Sequence, residues 1–134
     1  MHAADVRKVG LVLGAYHYLV YGPGGARQAA TFLKAAGLAD LLVLDMEAGA
    51  LHYPTLAKSF IANLRKNDTH HRKIGLYSSE GTWPGNMGQD FNWVANWSTT
   101  PKITWEFWQN AGSPLDHDVF NGSLSHLLAY SRHG

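Results

Sequence analysis

Cysteine is absent from these 134 residues, which excludes disulfides, thiolate chemistry and Cys-ligated zinc without fixing the compartment. Charge is sparse and balanced: 16% of residues are charged and the net charge is +1, so nucleic acid and anionic membranes have no electrostatic basis as partners. No apolar run is long enough to span a bilayer, and the start MHAADVRK lacks the apolar segment of a signal peptide. Membrane insertion is therefore not expected. Phosphate loops of the GxGxxG or GxxxxGK[ST] type are missing, and no Lys follows Gly22–Gly25 where such a loop needs one. The GxSxG nucleophile elbow is missing too. Metal-binding spacings such as HExxH do not occur among the eight His, so neither a metal nor a cofactor is expected.

What is present is apolar and aromatic. With 46% hydrophobic residues the chain can bury the core of one domain, expected to span residues 1–134. Five Trp and six Tyr exceed what a small core needs, and most follow residue 76. Flat rings with one polar edge suit the faces of sugars as well as cores.

The most informative segment is Leu41-Leu42-Val43-Leu44-Asp45-Met46-Glu47. Its apolar run reads as a strand buried on both faces, and two acids stand at its exit. Residues i and i+2 of a strand share a face, so Asp45 and Glu47 point the same way, roughly 6.6 Å apart along the chain. The C-terminal end of a parallel strand is where α/β folds place their active sites. Two carboxylates there can divide the work of an acid and a charged stabiliser, as glycoside hydrolysis requires.

Around this strand the chain reads as alternating elements. Residues 3–9 read as the tail of a helix stopped by Gly10, with Asp5 on its surface. Strands are expected at Leu11–Tyr18, Lys73–Ser78, Phe91–Trp97, Ile103–Gln109 and Asp116–Phe120. Helices are expected at Ala26–Ala36, Pro54–Arg65 and Leu124–Tyr130. Early strand–helix alternation followed by strands in quick succession indicates a mostly parallel sheet.

Several clusters carry candidate chemistry. Tyr16-His17-Tyr18 closes a buried run, with His17 facing opposite the two Tyr; it either caps the core or binds sugar and orients a carboxylate. Trp93, Ala95 and Trp97 share one face, as do Trp105, Phe107 and Gln109, with Trp108 on the other; core packing competes with a ligand platform. Asp116 and Asp118 form a second i, i+2 acid pair around His117.

In order, these segments resemble the glycoside hydrolase family 25 lysozymes, the Chalaropsis-type muramidases of bacteria, phages and some fungi. The resemblance is carried by Gly14-Ala15-Tyr16-His17-Tyr18, Asp45-Met46-Glu47, Leu76-Tyr77-Ser78, Trp93/Ala95/Trp97, Trp105–Gln109 and Asp116/Asp118/Phe120/Gly122. It implies an α/β fold, a modified (β/α) barrel, here incomplete with about six mostly parallel strands. It also implies hydrolysis of the β-1,4 bond between N-acetylmuramic acid and N-acetylglucosamine in peptidoglycan, and hence action on the cell wall after release with a holin or secretion. By position Glu47 matches the proton donor, Asp45 the acid that orients the substrate acetamido group, and Asp116 a further acid of the cleft. Tyr16, His17, Tyr77, Trp97, Trp108, Gln109 and Asp118 become expected substrate-binding residues.

One part of the family pattern has no counterpart. The D-[VI]-S strand that opens the barrel and the strand after it are not found, so the first two βα units are expected to be missing. Six strands cannot close an eight-stranded barrel, and the bare edges and apolar face require cover. A partner chain, an exchanged element or a rearranged N-terminal segment would supply it, and a homo-oligomer is the expectation. The missing strand normally carries an acid, which leaves open a non-catalytic peptidoglycan-binding relic or an inactive fragment as the alternative to an active muramidase.

Overall fold

In a computed structural model, which describes residues 5–9, 12–112 and 117–131, one sheet carries seven strands in chain order. They are β1 (Asp5–Val9), β2 (Val12–Tyr18), β3 (Leu41–Asp45), β4 (Lys73–Ser79), β5 (Phe91–Ala95), β6 (Phe107–Ala111) and β7 (His117–Phe120). The helices are α1 (Gly25–Ala36), α2 (Pro54–Asn67) and α3 (Leu124–Ser131). β2 to β6 pair in parallel, and the two outer pairs, β1–β2 and β6–β7, are antiparallel. This is an incomplete α/β barrel, whose edge strands β1 and β7 approach each other as the sheet curls. No described helix is long and apolar enough to cross a membrane.

The strands expected from sequence are β2 to β7, and β1 is an addition. Residues 5–9 are not the end of a helix: they pair antiparallel with β2, Asp5 opposite Tyr16 and Val9 opposite Val12. The reason is local. Five residues are too few to sustain an isolated helix, whereas the free edge of β2 offers a ladder to a segment with Val at two positions. Gly10, the expected stop signal, lies outside the described residues.

Side-chain alternation divides the sheet into two faces. Ala15, Leu19, Leu42, Leu44, Met46, Ile74 and Leu76 pack with Ala29, Phe32, Phe60, Ile61 and Leu64 of α1 and α2. On the concave face, Val12, Leu41, Val43, Tyr77, Phe91, Trp93 and Phe107 form a second core with Leu127 of α3, and Tyr16, Phe120, Leu128 and Tyr130 join it. All five residues of β3 are buried, as a strand covered on both faces demands. The cover over this part of the concave face is therefore supplied by the chain itself. Tyr130 lies edge-on to Phe91 with centroids 5.8 Å apart, and Lys73 Nζ sits 4.8 Å from the Tyr130 ring centre. Gly75 leaves the space that Phe91 fills, since a Cβ at Gly75 would collide with the Phe91 ring.

At the far end of α2 a buried ion pair ties two layers together. Arg72 donates to both carboxylate oxygens of Asp68, at 3.3 Å to Oδ2 and 3.0 Å to Oδ1. Its other nitrogen reaches the carbonyls of Gly37 and Ala39 at 2.8 and 3.1 Å, just before β3. Burial by itself pushes the Asp68 pKa up; the hydrogen bonds and charge of Arg72 outweigh it and hold the carboxyl below its ordinary 3.8.

Replacing Arg72 with Met leaves a buried carboxylate and two carbonyls without their cation. Arg72→Met is expected to cost about 3–5 kcal/mol in urea unfolding at neutral pH. Because the folded pKa of Asp68 is lowered, its contribution is complete above the unfolded value of 3.8 and is lost as pH falls through the folded value. Acid titration of stability in Asp68→Asn should accordingly be flatter in that window than in the parent.

Candidate active site

The exit of β3 is fixed by backbone hydrogen bonds to both neighbours. Leu19 N–H donates to Asp45 O at 3.0 Å from the β2 side, and Met46 N–H donates to Tyr77 O at 3.0 Å on the β4 side. Ser78 Oγ then donates to Met46 O at 2.7 Å. These bonds carry the extended backbone past the last residue of β3, so alternation continues: Met46 enters the helix-side core, and Asp45 and Glu47 face the other way. Ala48 follows with a left-handed φ of 53°, turning the chain into a short 3₁₀ segment immediately after the second acid. For a residue with a Cβ this conformation costs about 1 kcal/mol, a local strain placed beside the candidate chemistry.

Parallel register sets the acids among aromatic groups. Tyr18, Asp45, Tyr77 and Trp93 are paired successively across β2, β3, β4 and β5 and form one row on the concave face. One level higher lie Ser79, Ala95, Gln109 and Asp118. Above them opens a cleft of about 560 Å³, with Glu47, Tyr77, Glu80 and Trp97 in its walls. Asp45 is buried at 3% exposure beneath it, and Glu47 is half-buried in its wall. The Tyr18 hydroxyl has its pKa raised by burial first and then by the negative charges of Glu47 and Asp45.

Gln109 joins two walls of the cleft. Its buried Oε1 accepts from the Tyr77 hydroxyl at 2.6 Å and from Trp97 Nε1 at 3.2 Å. Trp97 nevertheless leaves 62% of its surface open. Trp93 donates to Asp118 Oδ1 at 2.9 Å, which holds that carboxylate against the concave face. Trp108 is half-buried and donates to the carbonyl of Asn96 at 2.8 Å, bracing the end of β5 from the other side of β6.

The remaining expected residues are placed differently. His17 is fully buried on the helix side: its Nε2 contacts Gln28 Oε1 at 2.8 Å and its ring stacks on Phe60 at 5.0 Å. Tyr16 is half-buried and belongs to the concave core below the row of Tyr18 and Asp45. Asp116 lies outside the described residues. Among the described residues, no three His, Cys, Asp or Glu side chains gather as a metal site would require.

Glu80 lines the cleft, and the sequence reading passed over it. Its Oε1 accepts from Asn96 Nδ2 at 2.8 Å, and its Oε2 accepts the backbone N–H groups of Lys102 and Ile103 at 2.6 and 3.0 Å. Asn96 in turn receives Ser98 and Thr99 N–H on its Oδ1, both at 3.0 Å. One carboxylate therefore fastens the whole 96–103 loop, which carries Trp97. The bond from Asn96 and then that from Ile103 N–H hold the Glu80 pKa below its ordinary 4.5. Between β5 and β6 the amides of Ser98, Thr99, Lys102 and Ile103 go to Asn96 and Glu80, while Asn96 and Glu106 N–H still reach across to the carbonyls of Gln109 and Asn92.

Comparison with known proteins agrees with this geometry. The family model for glycosyl hydrolases family 25 matches residues 1–118. Over 92% of its length the chain is 30% identical to the protein YegX of Escherichia coli, and 28% identical to YegX of a second strain of that species. In each case the match covers 53% of the relative, so the chain spans about half the length of the curated relatives it matches.

Two outcomes follow from the loop and its anchor. Gln109→Leu removes the acceptor shared by Tyr77 and Trp97 and should lower stability by about 1–3 kcal/mol in chemical denaturation. Because the folded pKa of Glu80 is lowered, the loop clamp is complete above 4.5 and is lost as pH falls through the folded value. A change in Trp fluorescence is expected there, and it should disappear in Trp97→Phe and in Glu80→Ala.

Proposed function

The chain belongs to glycosyl hydrolases family 25, and on that premise we propose that it is an N-acetylmuramidase acting on the glycan of peptidoglycan. The observation that carries this reading is the pair Asp45 and Glu47 on one side of the β3 exit, beneath and within a cleft walled by Tyr77 and Trp97. Glu47, at the cleft surface, is the group placed to protonate a glycosidic oxygen as its bond to the anomeric carbon breaks. Asp45, buried below, is the charge that would hold the substrate's acetamido N–H. The acetamido oxygen then bonds to the anomeric carbon in place of the leaving sugar. In the second half, water adds at that carbon, Glu47 takes its proton, and the acetamido group is released. The acid thus regains its proton each cycle and no cofactor is consumed.

The cleft suits such a substrate in its binding chemistry as well. Trp97 presents an apolar ring surface to the apolar face of a sugar, while Tyr77, Asn96 and Ser79 supply polar edges. A second reading, a module that binds the same glycan without cleaving it, rests on the exposed ring of Trp97 in the cleft wall. The acids decide between the two. Release of reducing ends from purified peptidoglycan should fall at least about 100-fold in Glu47→Gln, with the circular dichroism spectrum unchanged. Asp45→Asn should lower kcat more than it raises KM, because its partner charge develops during bond breaking. Glycan binding without turnover by the parent would instead establish the binding module.

A further inference from the structure

Tyr21 and Tyr53 are stacked on each other in the open, with ring centroids 4.6 Å apart and planes inclined by 28°. They are 74% and 36% exposed, and neither belongs to the two cores. We propose that this stack is a second sugar-binding platform, which extends the cleft for a long glycan on the side away from Trp97; the proposal rests on the glycan-hydrolase reading of the Asp45/Glu47 site.

The position follows from topology. Tyr21 lies three residues beyond Tyr18, at the C-terminal end of β2, and Tyr53 ends the 3₁₀ segment that begins after Glu47. At about 2 Å of rise per residue, Tyr53 stands within about 12 Å of Glu47 along that segment. Trp97 stands at the end of β5, across β3 and β4. The acids therefore lie between two exposed aromatic groups along one edge of the sheet. A polymer crossing from β2 to β5 would meet both, whereas a single sugar pair at the acids would meet only the central walls.

Its anchoring separates the stack from a loose surface loop. The buried Gln28 donates to the carbonyls of Val20 and Pro23 at 2.8 and 2.7 Å, fastening the chain on both shoulders of Tyr21. Gly25, where the loop enters α1, lies so close to Ser59 and the Phe60 backbone that a Cβ would collide with them. Tyr53 leads into the same helix, α2. Both rings are thus mounted on one rigid junction of α1 and α2, and little entropy remains to be lost when a ligand lands on them. Tyr21 stacks on Tyr53 by one face and is 74% exposed. That is the chemistry of a platform for the apolar face of a β-1,4-linked hexosamine.

The experiment uses the full chain carrying Glu47→Gln, so that binding is read without turnover. Long, purified peptidoglycan glycan strands are assayed by sedimentation, and a single N-acetylmuramic acid–N-acetylglucosamine disaccharide by NMR titration. Adding Tyr21→Ala should weaken binding to long strands about three- to tenfold, Tyr21→Lys should do the same, and Tyr21→Phe should bind as the parent does. Disaccharide affinity should be the same in all. The proposal is overturned if long strands bind Tyr21→Ala as tightly as the parent, or if disaccharide affinity falls in parallel. Loss of fold in both Tyr21→Ala and Tyr21→Lys would also overturn it, by showing a structural role. Tyr21-dependent binding by a chain whose Glu47 form has no turnover would sink the hydrolase reading and leave the platform standing. Turnover with binding indifferent to Tyr21 would do the reverse.

Discussion

Everything at the cleft depends on the backbone remaining extended for two residues past the end of β3. Leu19 and Tyr77 grip Asp45 and Met46 from either side, and Ser78 closes the grip on the Met46 carbonyl. Met46 must be driven into the helix-side core for its neighbours to face the cleft together. A one-residue slip would reverse this arrangement, placing a methionine in the cleft and two carboxylates against Phe60 and Leu64. The apolar packing of a single side chain therefore enforces the orientation of two acids, and the left-handed turn at Ala48 releases the chain only after the second one is placed.

Around that exit, polar side chains define the walls without crowding the acids. Gln109 brings Tyr77 and Trp97 to one acceptor, and Glu80 spends both oxygens on a loop rather than on the cleft. Glu80 consequently holds the loop that carries Trp97 in place. The two glutamates share a cleft but differ in what surrounds them: one is saturated by donors of its own chain, the other stands in the wall after a strand exit.

The β3 strand and its acids were legible in the sequence because an apolar run followed by i, i+2 carboxylates leaves one consistent geometry. The helices were legible within a residue or two, since Gly37 and Pro54 punctuate them as physical chemistry requires. β1 was not legible. Its five residues carry no helical period and gain their structure from the edge of β2. Residues 103–106 looked like strand by composition, but a distant carboxylate satisfies the Ile103 amide, and no local pattern announces that. His17 was visible as facing away from its flanking tyrosines; its burial against Phe60 and Gln28 depends on helices whose placement sequence spacing does not state. The burial of α3 against the concave face was equally hidden, because eight residues are too short to display a reliable apolar stripe.

The strand order runs from β1 to β7 without a single exchange of neighbours. Each strand thus finds its pairing edge already laid down by the one before it, and no loop has to wait for a distant segment to arrive. Such a sheet can grow from the N-terminus at the pace of synthesis, with α3 arriving last to cover the face that the earlier strands have exposed. The helix-side face is thus sealed as α1 and α2 are made, whereas the concave face of β2 and β3 stays open to water until α3 is delivered.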